Sequence, residues 1–370
     1  MKVLRLFFVV IFAAVLAAGC NHSTGDGTLS NSMRVGMVVD VGGLNDYSFN
    51  ESANKGLVKA MQDFSCDVRV IESKSEADYE ANIRKLADAR YDLVIAVGVL
   101  LSEPLIKVAK DKPNVKFVII DGNVPDMPNV SVYRFREEEG AFLVGALSTM
   151  VSSRKKLGFV GGMDIPLIEK FEAGFKAGVK TISPEAEVFS GYTGSFNNPE
   201  SGRKMADKLF DKGADIVFHA SGGCGNGVID AAQERGAIQL PTTSGFLPPN
   251  VKINSTDRKG TYFAVGVDSD QDSLAPGRVL TSMIKGVDVA VYESIKSMKE
   301  NRFKAGTTSL GIKEGAISLS PMRYTKEYIR TLNSDILPSI DRLSKMITDG
   351  QIQVPDTLDK LKDFKPPTDI

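Results

Sequence analysis

Three aspartates in this chain each close a short apolar run. Asp40 follows Val-Gly-Met-Val-Val, Asp121 follows Phe-Val-Ile-Ile, and Asp268 follows Ala-Val-Gly-Val. One aspartate after a strand is ordinarily a helix cap or a turn former. Three at corresponding strand ends exceed what capping requires, and carboxylates there accept hydrogen bonds from hydroxyl or N–H groups of a polar solute. The loop after Asp40 carries Gly42, Gly43, Asn45, Asp46 and Ser48 into Phe49 and Asn50. Phe49 either staples the start of the following helix or turns its ring to a cleft, where it can stack on a flat ligand. Ser48 with Glu51 has the spacing of a capping box. A second polar loop, Ser221-Gly222-Gly223-Cys224-Gly225-Asn226-Gly227, follows a strand and opens a helix. It fails as a dinucleotide fingerprint, because Gly223 and Gly225 require a third glycine where Val228 stands. No Lys-Ser or Lys-Thr follows, which excludes a P-loop. Glycines such as Gly222 let backbone N–H groups approach a solute closely. Lys285, in Thr-Ser-Met-Ile-Lys-Gly, either snorkels to the surface or points at the cleft carboxylates.

Composition narrows the chemistry. The formal net charge of -1 argues against a nucleic-acid partner. Two histidines, His22 and His219, are too few for a histidine metal site and give no plain Ser-His-Asp set. No general acid or nucleophile stands out beyond isolated aspartates, so we expect a binding protein rather than an enzyme, with no cofactor. Beyond Cys20 the cysteines are Cys66 and Cys224, which either pair or serve as buried small apolar residues.

The elements that must position these residues follow from periodicity. Short apolar runs at 34–40, 67–72, 92–98 and 116–121 alternate with amphipathic stretches, the pattern of a parallel sheet covered by helices. Phe49, Ala53, Leu57, Ala60 and Phe64 recur at helical spacing. The second half repeats the plan, with strands at 156–162, 187–191 and 215–221 and helices at 167–182 and 200–212. Residues 86–95 align without gaps with 209–218 at the same ordinal place, which favours two related lobes. Further on, 262–268 and 279–285 read as strands, 287–298 as a helix, 310–319 as a hairpin or edge strand, and 326–347 as a last amphipathic helix. The stretch 241–260 reads as a long polar loop. In parallel α/β sheets ligands sit beyond the carboxyl ends of strands, where the three aspartates lie.

The first twenty residues set the compartment. Lys2 and Arg5 precede an apolar core over 6–16, and Ala17-Ala18-Gly19-Cys20 closes it. The run is too short to cross about 30 Å of hydrocarbon, so 1–19 reads as a signal peptide. Small residues before Cys20 are similar to a bacterial lipobox, although Ala17 stands where leucine is usual. Residues 20–32 lack apolar content and read as a flexible tether. The expected place is the bacterial cell envelope, with the chain held at the membrane by its lipid and facing the periplasm or exterior.

Taken together, Asn45-Asp46-Tyr47-Ser48-Phe49-Asn50, Val118-Ile119-Ile120-Asp121, Glu139-Gly140-Ala141-Phe142-Leu143-Val144-Gly145, Gly222-Gly223-Cys224-Gly225-Asn226-Gly227, Gly266-Val267-Asp268-Ser269-Asp270-Gln271 and 280–285 resemble the basic membrane protein family of bacterial lipoproteins, and within it the purine nucleoside receptors. The resemblance implies a type I periplasmic-binding fold, with two lobes joined by three crossings. It places one lobe at 33–135 plus about 284–308 and the other at 136–283 plus about 309–370. It implies capture of a nucleoside by a monomer that delivers it to an ABC permease. By position, Asp40, Asn45, Asn50, Asp121 and Gly222 would contact the ligand, Phe49 and Phe218 would sandwich its base, and Asp268 and Lys285 would hold ribose hydroxyls. Asn45 and Tyr47 depart from the family's commoner Asp and Lys, and Cys224 from a small hydroxyl residue. A lipoprotein that binds a sugar or another small polar metabolite, and a nucleoside-processing enzyme, are the alternative readings.

Overall fold

The computed structural model describes residues 32–237 and 261–367. The sequence expectations at Cys20, over the signal segment and tether, and over 241–260 lie outside them. Within the described residues the chain runs β1 (Arg34–Val39), α1 (Phe49–Phe64), β2 (Asp67–Glu72), α2 (Tyr79–Asp88), β3 (Leu93–Val97), α3 (Ser102–Asp111), β4 (Lys116–Ile120) and β5 (Val130–Phe135). It continues through α4 (Glu137–Val151), β6 (Lys156–Gly161), α5 (Pro166–Ile182), β7 (Glu187–Tyr192), α6 (Pro199–Asp211), β8 (Ile216–Ala220), α7 (Cys224–Ala237), β9 (Phe263–Asp268) and β10 (Val279–Lys285). It ends with α8 (Val287–Lys299), β11 (Gly306–Leu310), β12 (Ile317–Leu319), α9 (Lys326–Leu332), α10 (Ile336–Thr348) and α11 (Leu358–Asp363).

The strands form two six-stranded sheets of the same order, β11-β5-β4-β3-β1-β2 and β12-β10-β9-β8-β6-β7. Every pairing is parallel except that of β10 with β12. The central strands are apolar on both faces because helices cover both, so β3 and β8 are buried along their whole length. The repeat seen in the sequence is a real structural repeat. Arg90 and Gly213 both take positive φ, 58° and 102°, after equivalent helices. Tyr91 N and Ala214 N then donate back to Leu86 O and Leu209 O, closing each helix the same way.

The chain passes between the lobes three times: at Arg136 from β5 to α4, at Gly286 from β10 to α8, and over 311–316 from β11 to β12. Of the segment 310–319, expected as a hairpin or edge strand, Ile317–Leu319 is an edge strand antiparallel to β10, and 311–316 is a crossing whose ends join different sheets. Backbone bonds tie the crossings together, Arg136 N to Leu310 O and Gly286 N to Ala316 O at 2.8 and 2.7 Å. Arg136 pairs with both Glu139 and Glu314, adding side-chain ties.

Other differences have local causes. β5 had no counterpart among the expected strands, although Val130 and Val132 alternate with Ser131 and Tyr133. The expected helix over 326–347 is two, because Asn333 adopts extended backbone after Leu332. α10 still buries one stripe, Ile336, Ser339, Ile340, Leu343 and Ile347, at helical spacing. α4 and α5 pack so closely that a Cβ on Gly178 would lie 2.0 Å from Phe142 O. Cys66 and Cys224 are both buried free thiols, one before β2 and one at the start of α7, in different lobes. No helix among the described residues is long and apolar enough to cross a membrane.

Candidate binding site

The carboxyl ends of β1, β4, β8, β9 and β10 converge on one cleft. It leaves about 570 Å³ free of protein atoms, open mouth included. Asp40, Phe49, Asn50, Asp121, Gly222, Asp268 and Lys285, all expected from the sequence, line it. Asp121 and Asp268 hold the same position in the two lobes, each just closing the fourth strand with φ of 62° and 64°. This uncommon conformation for a non-glycine residue turns both carboxylates off the strand line toward the cleft. Gly98, with φ of 115°, ends β3, and a Cβ there would meet Asp40 Oδ2 at 3.0 Å.

The loop between β1 and α1 is organised by Asp46. Its carboxylate accepts from the backbone N–H groups of Ser48, Asn50 and Glu51 at 2.9, 2.8 and 3.1 Å. The expected Ser48–Glu51 capping box does not form, because Asp46 takes its place and frees the Ser48 hydroxyl. That hydroxyl donates to Asp268 Oδ2 at 2.5 Å, from lobe to lobe. Gln271 Nε2 donates to Tyr47 O at 3.2 Å across the same seam. Asn45, expected at the ligand, points to solvent; Asp46 lines the cleft instead. Burial pushes the Asp46 carboxyl up to about 6, against its three backbone donors. Asp40 is also raised by burial, with Asn50 Nδ2 at 2.7 Å and Gly42 N at 2.9 Å opposing.

Lys285 does not snorkel: it is 2 % exposed. Its Nζ lies 2.5 Å from Asp121 Oδ2 and 3.0 Å from Glu137 Oε1. The rings of Phe135, Phe49 and Phe171 surround it at 4.9, 5.2 and 5.6 Å. Burial disfavours its charge, but Asp121, Glu137 and Asp268 outweigh that and hold its pKa above the ordinary lysine value. Burial also raises Asp268, with Lys285 and the Ser48 hydroxyl opposing. Glu137, buried on α4, was not singled out in the sequence.

Phe218 does not reach the cleft. It is fully buried on β8, its ring 5.3, 5.8 and 6.4 Å from those of Phe175, Phe159 and Phe171. β8 turns Phe218 against Phe171 and Phe175 of α5, and of these three rings Phe171 alone lines the cleft. The aromatic lining beside Phe49 comes from Phe171 and Phe196. Phe196 sits on the β7–α6 loop over Gly162, where a Cβ would lie 2.2 Å from its ring. Cys224 steadies that loop, accepting from Asn198 N and donating to Ser195 O, each at 3.2 Å.

Among the described residues, three buried polar atoms of the cleft lining have no hydrogen-bond partner: Asn50 Oδ1, Asp121 Oδ1 and Ser221 Oγ. Two are acceptors and one a hydroxyl, a set that suits a neutral solute rich in O–H and N–H donors. No group of histidines, cysteines and carboxylates able to hold a metal occurs among the described residues.

Comparison with known proteins agrees with this architecture. Residues 33–358 match the Bmp family model, described as ABC transporter substrate-binding protein PnrA-like. A CD4+ T-cell-stimulating antigen of Listeria innocua is 32 % identical, covering 94 % of this chain and 96 % of its own. The ABC transporter nucleoside-binding protein BmpA of Lactococcus lactis is 28 % identical, covering 96 % and 99 %. An ABC transporter solute-binding protein of Aeropyrum pernix K1 superposes with a TM-score of 0.77 at 28 % identity, over 90 % of this chain and 96 % of that one. The Lac repressor, at 14 % identity and a TM-score of 0.55, shares the fold alone. The architecture is thus the type I periplasmic-binding fold, two Rossmann-like lobes on a three-crossing hinge, and the chain belongs to the Bmp family of PnrA-like ABC transporter substrate-binding proteins.

Proposed function

We propose that this protein captures a nucleoside, most simply a purine nucleoside, between its lobes and delivers it to an ABC importer without altering it. The observation that carries this reading is the charge pattern of the cleft. One buried ammonium, Lys285, stands among Asp40, Asp46, Asp121 and Asp268, with aromatic rings beside them. Carboxylates in excess accept from ribose hydroxyls and base N–H groups and repel a phosphate, so the cleft favours nucleosides over nucleotides. Phe49 with Phe196 or Phe171 supplies faces for the base. Asp268 and Lys285 hold the ribose, and Asp40, Asn50, Asp121 and the Gly222 backbone complete the polar wall. The relative from Lactococcus lactis, named as nucleoside-binding, points the same way.

In this reading the lobes, 33–135 with 287–310 and 137–285 with 317–367, close about the crossings on the ligand. Cys20 carries the lipid that keeps the monomer at the membrane, and 21–32 is the tether. Native mass spectrometry of freshly purified protein tests the reading. It expects a co-purified mass equal to one nucleoside, released unchanged on unfolding. A co-purified sugar, or free base appearing when the protein is incubated with inosine, would overturn it.

A further inference from the structure

Glu137 is fully buried at the first turn of α4, just past the first crossing, and does not line the cleft. Its two carboxylate oxygens serve two ammonium groups. Oε1 lies 3.0 Å from Lys285 Nζ and Oε2 lies 3.1 Å from Lys170 Nζ. Lys170, on α5, also donates to Phe135 O at 2.9 Å, tying the end of β5 to the same cluster. The N-terminus of α4 favours a negative charge at this place. Burial works against the charge, yet Lys285 and Lys170 together hold the Glu137 carboxyl below its ordinary range.

Lys285 has three N–H donors on a flexible four-carbon stem, and rotation about that stem would scatter them. Asp121 Oδ2 accepts one at 2.5 Å, and the Glu137 carboxylate draws the ammonium as an ion pair at 3.0 Å without a hydrogen bond, which leaves N–H donors for the cleft. We propose that Glu137 is a positioning residue of the binding site: from behind the cleft wall its charge holds the Lys285 ammonium against Asp121, with the N–H donors that Asp121 does not take directed at the ligand. Because Glu137 follows the first crossing and Lys285 precedes the second, the same ion pair joins the ligand's donor to the hinge. This assignment rests on the reading of the cleft as a nucleoside site.

The test is a double-substitution cycle read by calorimetric titration with inosine, using Glu137→Gln, Lys285→Met, the pair together, and Glu137→Asp. Glu137→Gln should weaken inosine binding roughly 10- to 100-fold, because it removes one member of a buried ion pair and leaves the Lys285 ammonium less firmly held. In the Lys285→Met background the same substitution should change Kd by less than about twofold, since the two act through one group. Glu137→Asp, which keeps the charge, should recover part of the loss; it also carries the test if Glu137→Gln does not fold. Wild-type affinity in Glu137→Gln, or an equal loss in both backgrounds as a purely structural carboxylate would give, overturns the proposal. Wild-type protein that binds no inosine, adenosine or guanosine strikes the functional reading itself, and the assignment falls with it.

Discussion

Ser48, at the start of α1 in one lobe, donates its hydroxyl to Asp268 Oδ2, at the end of β9 in the other, at 2.5 Å. The bond exists because Asp46 has taken over the capping of α1. It places a clasp beside the proposed ribose site, so closure and ligand capture share a carboxylate. Ser48→Ala should weaken nucleoside binding by about 1.5 to 3 kcal/mol, the range of a hydrogen bond to a charged acceptor. Small-angle scattering should show a larger ligand-free radius for the variant. Unchanged affinity together with an unchanged radius would deny the clasp any role.

Phe196 and Phe218 should fail in opposite ways. Phe196→Ala removes an aromatic face of the cleft and should cost about 1 to 3 kcal/mol of nucleoside affinity, as loss of a base stack does, with little change in melting temperature. Phe218→Ala empties a site packed by Phe159, Phe171 and Phe175 and should cost about 3 to 5 kcal/mol of folding stability. Its folded fraction should bind nearly as wild type. Chemical denaturation alongside titration separates the two, and a reversed pattern would return Phe218 to the cleft.

His219 is fully buried, and burial depresses its pKa to about 4, the bond to Gln271 Oε1 opposing. A histidine with a lowered native pKa contributes stability that is present above its unfolded value, near 6.5. That stability is lost as pH falls toward 4. Between pH 7 and 4.5 the loss should amount to about 2 to 3 kcal/mol. Asp46, raised to about 6, acts with the opposite sign over much the same interval, since its contribution grows as pH falls. Comparing wild type with His219→Gln cancels the Asp46 part. The stability gap between them should shift in favour of the variant on acidification, and a gap independent of pH would show that His219 is not the titrating group.

Much of this molecule was legible in its residues, and the failures have physical reasons. Asp40, Asp121 and Asp268 were readable because an acidic residue closing an apolar strand is a local pattern, and the repeat of 86–95 in 209–218 is a linear one. Phe218 misled because β8 is buried on both faces, so a period of two cannot say which face meets the cleft. Phe196 went unnoticed on a loop without periodicity, and Glu137 because its partner lies far along the chain, at Lys285. Ser48 and Glu51 had the right spacing for a capping box, but Asp46, two residues earlier, competes for the same N–H groups and wins. The break between α9 and α10 had a signal, Asn333-Ser334-Asp335, inside an otherwise amphipathic run.

The central claim is that the cleft takes a nucleoside through Asp268 and its neighbours. Calorimetric titration of the purified protein with inosine and adenosine, beside Asp268→Ala, tests it most directly. The account predicts saturable one-to-one binding to wild type, weakened by about 2 to 3 kcal/mol in the variant, whose ligand hydroxyls lose their acceptor. No binding of any nucleoside to wild type, or equal affinity for the two proteins, would contradict it.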